Sequence, residues 1–298
     1  MIGLIKSFNQ NPIYIKDQQI QKRLTSRNKL SIPPWLGYLT ILLLPLIMYS
    51  LFSIKHPSFD VKDMRSIFIV TCFLQVIYFC YRGVSHSYNL ITHEKEMKTY
   101  GNLISTMMSP REIVKGKFWM SFYPLAKELT IFFPLFFFIG FLLKVSIQSL
   151  IMIYIFGLIQ IGFLSIVGLF FSARSRDSMS ARSSAIGTLA FMVFGTYLIG
   201  ILLSMASGFI AEAINCSSGG MGFMIMAIPI GILNIFNPVS NTIAALLPTF
   251  SNFIQNLMDI STSMLIGFVY PVFCMVVYFY VGMVIFKKTV KKVAELPS

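Results

Sequence analysis

The sequence predicts an all-α, polytopic membrane protein, and three observations support this fold class. The 298 residues are 56% apolar and only 12% charged, whereas a soluble domain has roughly 25% charged residues. Uncharged apolar runs recur along the chain, and each is long enough to cross a hydrocarbon core about 30 Å thick. These runs lack the alternation of apolar and polar residues that a membrane β-barrel requires.

Six transmembrane helices are predicted from these runs. They are Trp35–Ile54, Ser66–Thr92, Phe118–Leu143, Val145–Ala173, Ser183–Ala211 and Met264–Phe286. Residues 1–35 form a basic segment before them, residues 36–286 the membrane domain, and residues 287–298 a tail. Asn11 and Pro12 are typical of a helix start. The basic segment therefore predicts an amphipathic helix on the membrane surface, with a solvated basic tail as the alternative.

The distribution of Lys and Arg predicts the topology. With the N-terminus inside, eighteen basic residues lie in inner segments and four in outer ones, the bias seen in cytoplasmic loops. Both termini are therefore predicted to lie in the cytoplasm of a cell-membrane protein, with Cys216 outside. The net charge of +13 is explained by this placement, so no nucleic-acid partner is expected.

Residues 212–263 are apolar but interrupted by Pro229, Pro238 and Pro248. One additional span here would put the Lys-rich C-terminus outside, against the charge bias. We therefore predict two re-entrant helices packed against the bundle, as backbone inside a membrane must be satisfied by protein or water. A hairpin of two thin spans is the alternative.

Catalytic and metal-binding motifs are absent from the sequence. It contains no P-loop, zinc motif, paired acidic signature or nucleophile elbow, and its three His and four Cys lack ligand spacing. We therefore expect no catalytic residues, no metal and no cofactor in this chain.

A polar insert, Glu94–Lys117, separates the second and third predicted spans. It contains eight charged residues. As a helix, Glu94–Met107 would place Met97, Tyr100, Leu103, Ile104 and Met107 along one apolar stripe. Ser109 and Glu112 form a capping-box pattern with Pro110 in the first turn of a new helix. A capped corner suits the docking of a soluble partner, whereas a connector lying on the membrane is the alternative.

The segment ITHEKEMKTYGNLISTMMSPREIVKGK, residues 91–117, resembles the same region of ABC transporter type-2 permeases. The matching positions are Glu94, Glu96, Thr99, Leu103, Thr106, Ser109, Glu112, Ile113, Gly116 and Lys117. Residues 11–27 similarly resemble the Asn-Pro-led interfacial helix of such subunits. Two positions depart from the family pattern: Lys98 stands where Gly is usual, and the proline after Thr106 is displaced to Pro110.

The resemblance implies that the insert is a coupling helix, which docks on a separate ATP-binding subunit. The implied coupling residues are Glu94, Glu96, Thr99, Tyr100, Leu103, Met107, Ser109, Glu112 and Lys117. ATP and Mg would be bound by that partner subunit. Because family transporters have twelve spans and this chain has six predicted ones, the resemblance implies a homodimer or a heterodimer with a similar permease. The family also favours export.

Two intramembrane features are predicted. A cavity for a hydrophobic or amphipathic peptide, drug or lipid would be lined by Phe68, Phe73, Phe79, Phe191, Met192, Phe194 and Tyr197. Core packing or lipid contact is the alternative for each of these residues.

Arg82 and Glu128 lie at matching depths, about 18 Å and 16 Å from the insert at 1.5 Å per residue. They are therefore predicted to pair, while Lys127 points elsewhere.

Three other functions remain open at this point. A secondary transporter would need intramembrane ionisable groups for ion coupling, and a membrane enzyme would need a clustered catalytic set. A non-transporting sensor or immunity subunit has no sequence feature that separates it from a permease.

Overall fold

The computed structural model describes residues 34–55, 61–101, 108–143, 145–196 and 260–295, with a few isolated positions elsewhere. Every element within these ranges is helical. The helices are α1 (Pro34–Lys55), α2 (Val61–Ser87), α3 (Thr92–Glu96), α4 (Pro110–Leu142), α5 (Ile147–Arg174), α6 (Ser178–Ala190) and α7 (Ile260–Ala294). A π-helical turn, Phe191–Gly195, continues α6.

Four helical stretches are long and apolar enough to cross a membrane. They are Phe68–Glu96, Pro110–Leu142, Ile147–Arg174 and Val272–Ala294. The all-α membrane class predicted from the sequence is therefore confirmed. The count of six spans stays a prediction, and the re-entrant segment lies outside the described residues apart from Asn237 and the start of α7.

Helix α5 lies at the centre of the bundle and packs against α2, α4, α6 and α7. Small residues allow this close packing, as is usual between membrane helices. Gly168 is the clearest case, since a Cβ there would collide with the Ser87 hydroxyl of α2. At Gly83 of α2, a Cβ would already touch Leu164 of α5 at 3.4 Å.

The start of α4 agrees with the sequence pattern. The Ser109 hydroxyl accepts a hydrogen bond from the Glu112 amide, and the Glu112 carboxylate accepts one from the Ser109 amide. This is the predicted capping box, with Pro110 in the first turn. It satisfies two amides that a helix start would otherwise leave without partners.

The predicted continuous helix from Glu94 to Met107 is wrong, because α3 ends at Glu96. The Lys98 amide donates to the Lys95 carbonyl at 3.1 Å, and the Thr99 amide donates to the Glu94 carbonyl at 2.9 Å. Lys98 has φ 54°, so this is a Schellman termination in which a left-handed residue follows the helix. Gly usually occupies that position, and Lys98 therefore gave no helix-stop signal in the sequence.

Candidate functional site

Helix α3 sits against the carboxyl end of α5. The Ser172 hydroxyl accepts hydrogen bonds from the amides of Ile91 and Thr92, at 2.9 and 3.0 Å. The Lys95 ammonium donates to the carbonyls of Ala173 and Ser175, at 2.7 and 3.0 Å. The last carbonyls of a helix lack internal partners and carry partial negative charge, so a cation stabilises them.

The amino end of α6 is held by two carboxylates. Asp177, the N-cap residue, accepts a hydrogen bond from the Ser180 amide at 3.1 Å. Glu96 approaches from α3 and accepts one from the Ser178 amide at 2.6 Å. Negative charge is favourable at a helix amino end, so α3 binds the end of α5 with a cation and the start of α6 with an anion.

A buried ion pair joins α3 to α4. The Lys117 ammonium donates to a Glu94 carboxylate oxygen at 2.6 Å, and the two side chains are 3% and 11% exposed. Removing two charges from water is costly and is offset only by close geometry. This pair closes the corner between the insert and the third predicted span.

Tyr100 connects the insert to α7. Its hydroxyl donates to the Val293 carbonyl at 2.9 Å, and its ring packs among Ile91, Val114 and Leu169. Burial, with the nearby Glu94 carboxylate as a smaller cause, raises the pKa of Tyr100. We call residues Ile91–Gly101 and the helix ends that they contact the polar joint.

The polar joint separates the predicted coupling residues into two sets. Glu94, Tyr100 and Lys117 are buried, so a docked subunit cannot touch them directly. Thr99, Glu96, Ser109 and Glu112 are exposed, although each also bonds within the chain. Leu103 and Met107 lie outside the described residues.

The predicted apolar stripe is divided as well. Tyr100 points into the joint, whereas Met97 is 62% exposed at the turn that ends α3. The difference follows from the left-handed Lys98, which rotates the chain between the two residues. Met97 is therefore the large apolar side chain that the described part of the insert presents outward.

Arg82 and Glu128 lie together, as the matching depths predicted. An Arg82 guanidinium nitrogen is 3.5 Å from one Glu128 carboxylate oxygen, and the Tyr78 hydroxyl donates to the other at 2.7 Å. The Arg82 guanidinium also lies 5.9 Å from the centre of the Tyr78 ring, within range of a cation–π contact. Lys127 is exposed and points away.

The residues predicted to line a cavity lie in different parts of the bundle. Phe68 and Phe79 are buried in one core cluster, and Phe73 and Met192 pack against a second. Phe191 and Phe194 are exposed on the bundle surface, and Tyr197 lies outside the described residues. The cavity, which would lie between two such bundles, stays a prediction.

A large apolar groove lies elsewhere, between α4, α5 and α7. Its volume is about 640 Å³, and Arg111 and Lys287 are the charged residues among its sixteen lining residues. No local sequence pattern predicts this groove, because its walls come from three separate stretches of the chain, residues 111–122, 158–166 and 278–290. In the described ranges, no cluster of His, Cys, Asp and Glu is suited to hold a metal.

No protein-family model matches the chain, and no curated protein matches it.

Proposed function

We propose that the chain is the transmembrane permease subunit of an ATP-driven ABC exporter in the cell membrane. It would form the substrate pathway with a second permease, either a copy of itself or a similar subunit. A separate subunit would bind ATP and Mg and hydrolyse the nucleotide. The cargo that best suits apolar helices is a hydrophobic or amphipathic peptide, drug or lipid.

The observation that carries the proposal is the sequence pattern of residues 91–117, which resembles the coupling region of type-2 permeases. The described ends of this region have defined conformations, a Schellman turn at Lys98 and a capping box at Ser109. A soluble partner needs a surface of fixed shape, since ordering a mobile loop lowers the affinity.

The contacts of the polar joint support a mechanical role. Helix α3 is bonded to α5 through Lys95, to α6 through Glu96 and to α4 through Glu94. A push on this corner would therefore displace the ends of three further helices together. Closure of two ATP-binding subunits would bias such an element between two states, as a population shift requires.

The main rival, a secondary transporter, would couple transport to ions through intramembrane ionisable groups. Arg82 and Glu128 are such groups, but they neutralise each other. A partner ATPase made inactive by mutation discriminates between the two functions, because transport by a secondary carrier would continue unchanged.

Co-purification with an exposed-site variant tests the proposal. The chain is isolated from its native membrane, and ATPase subunits that accompany it are identified by mass spectrometry. Met97→Asp should reduce the recovered ATPase on the order of tenfold, since a carboxylate would replace an apolar anchor at the interface. Ala294→Asp adds the same charge at an exposed position of α7 and should leave recovery unchanged.

Two results would contradict the proposal. One is the absence of any ATPase with the unmodified chain. The other is equal recovery with Met97→Asp and with the unmodified chain, at equal membrane levels of both.

A further inference from the structure

The apolar groove between α4, α5 and α7 is aromatic along its length. Seven of its sixteen lining side chains are aromatic, among them Trp119, Phe163 and Tyr278. Phe279 and Met283 on its α7 side are exposed, so the groove opens at the surface of the bundle. An apolar furrow on a membrane-facing surface suits a hydrocarbon chain.

The length of the groove corresponds to one leaflet of a bilayer. On α7 it extends from Tyr278 to Val290, which is about 18 Å at 1.5 Å per residue. Half of a hydrocarbon core is about 15 Å thick. Because Val290 lies near the polar joint, the groove belongs to the leaflet at that end of the bundle, which the charge bias predicts to be cytoplasmic.

Charge is concentrated at the same end. Arg111 is in the first turn of α4, and Lys287 lies within one turn of Val290. No acidic residue is among the described residues that line the groove. Among the described residues, neither cation forms an ion pair, so both are available to a ligand with negative charge at the membrane surface.

Two glycines keep the floor of the groove open. A Cβ at Gly282 would touch Phe163 and Ile166 at 3.6 and 3.7 Å, and one at Gly162 would touch Phe122 at 3.5 Å. These are ordinary contact distances, so a methyl group fits at either position. A larger side chain would extend beyond that contact into the space of the groove.

We propose that this groove binds an anionic phospholipid of the adjacent leaflet, with an acyl chain along the aromatic wall and the phosphate between Arg111 and Lys287. The occupant follows from the combination of a leaflet-length apolar wall and cations at the headgroup end. The lipid is a resident ligand and not the transported cargo, and the proposal does not depend on transport.

Fluorescence quenching tests this site directly, because Trp119 lines it and the chain has only two tryptophans. Trp35→Phe leaves Trp119 as the sole reporter. The full chain is reconstituted in phosphatidylcholine vesicles that contain a fixed fraction of brominated phosphatidylglycerol or brominated phosphatidylcholine. Phosphatidylglycerol should quench more strongly, with an apparent preference on the order of fivefold for each cation.

Matched variants connect the preference to the groove. Arg111→Gln with Lys287→Gln should abolish the preference, whereas Lys288→Gln, next to the groove but not part of its lining, should retain it. Gly282→Leu should weaken quenching by both lipids, whereas Gly187→Leu, at an exposed position of α6 with open space around it, should not. Inorganic phosphate should not displace the brominated lipid, because it has no acyl chain.

Three outcomes would overturn the proposal. Equal quenching by the two lipids would show ordinary lipid contact without a site. Quenching by neither lipid would show that another part of the chain or another protein fills the groove. A preference that survives the loss of both cations would place the anionic lipid elsewhere.

Discussion

Two ion pairs join the chain around the insert to α4, and they differ in tightness. Glu94 and Lys117 meet at 2.6 Å with both side chains nearly sealed from solvent. Arg82 and Glu128 are 3.5 Å apart, with side chains 20% and 9% exposed, and Tyr78 shares the carboxylate. The Glu94–Lys117 pair therefore holds α3 tightly against α4. The Arg82–Glu128 pair is longer, and Tyr78 also binds its carboxylate.

The comparison shows that a charged residue in the insert need not be a contact for another protein. Glu94 and Glu96 were predicted to contact a docked subunit, yet both of them and Lys95 bind other parts of the same chain. Dense mixed charge in the insert is thus explained largely by internal partners. Among the described residues of the insert, the proposed partner subunit could reach the exposed turn at Met97 and the exposed side of the capping box at Ser109.

Breaking the tight pair should have the largest effect. Glu94→Gln or Lys117→Met alone leaves one buried charge unpaired, which costs about 3–5 kcal/mol. The double variant removes both charges and should recover most of that loss. The measurement is the free energy of unfolding in a detergent–SDS titration.

Lys127→Met, an exposed change in the same helix as Lys117, serves as the control and should alter stability little. If the double variant is no more stable than the less stable single variant, Glu94 and Lys117 do not stabilise the fold as a pair. Glu94→Ala would consequently change both stability and partner binding, so Met97 is the cleaner probe of docking.

Reversing the looser pair should have a smaller effect. Arg82→Glu and Glu128→Arg each place two like charges together in a membrane segment, where an uncompensated charge costs roughly 2.5–3.5 kcal/mol. Each should lower the yield of folded protein, and the double reversal should restore much of it. Lys127→Glu, at the exposed neighbouring position, should show no such rescue with Arg82→Glu.

Replacing Lys98, whose backbone is in the left-handed region, should have the smallest effect on stability. This substitution should raise stability, whereas the preceding ones lower it. Lys98→Gly removes the Cβ from a residue with φ 54° and should stabilise the joint by about 1 kcal/mol. Lys115→Gly lies inside a helix and should instead destabilise it by about 1 kcal/mol. Thermal unfolding in detergent distinguishes the two signs, and a loss of stability with Lys98→Gly would argue against the Schellman turn.

The sequence predicted features that depend on local spacing and helical rise. The capping box needs residues three apart, and the pairing of Arg82 with Glu128 needs only two helices with matched depths. The sequence missed the contacts of Lys95, Glu96 and Tyr100, because their partners are 78, 82 and 193 residues away. The apolar groove was missed for the same reason, because its walls come from three separate stretches of the chain.

The bond from Tyr100 to the Val293 carbonyl has a consequence for biosynthesis. Val293 is translated 193 residues after Tyr100, and membrane helices enter the bilayer as the chain emerges from the ribosome. The hydrogen bond between Tyr100 and α7 can therefore form only after the last helix has been synthesised and inserted. In a chain that ends before Val293, the Tyr100 hydroxyl would lack this acceptor and the apolar side chains around it would be less completely covered.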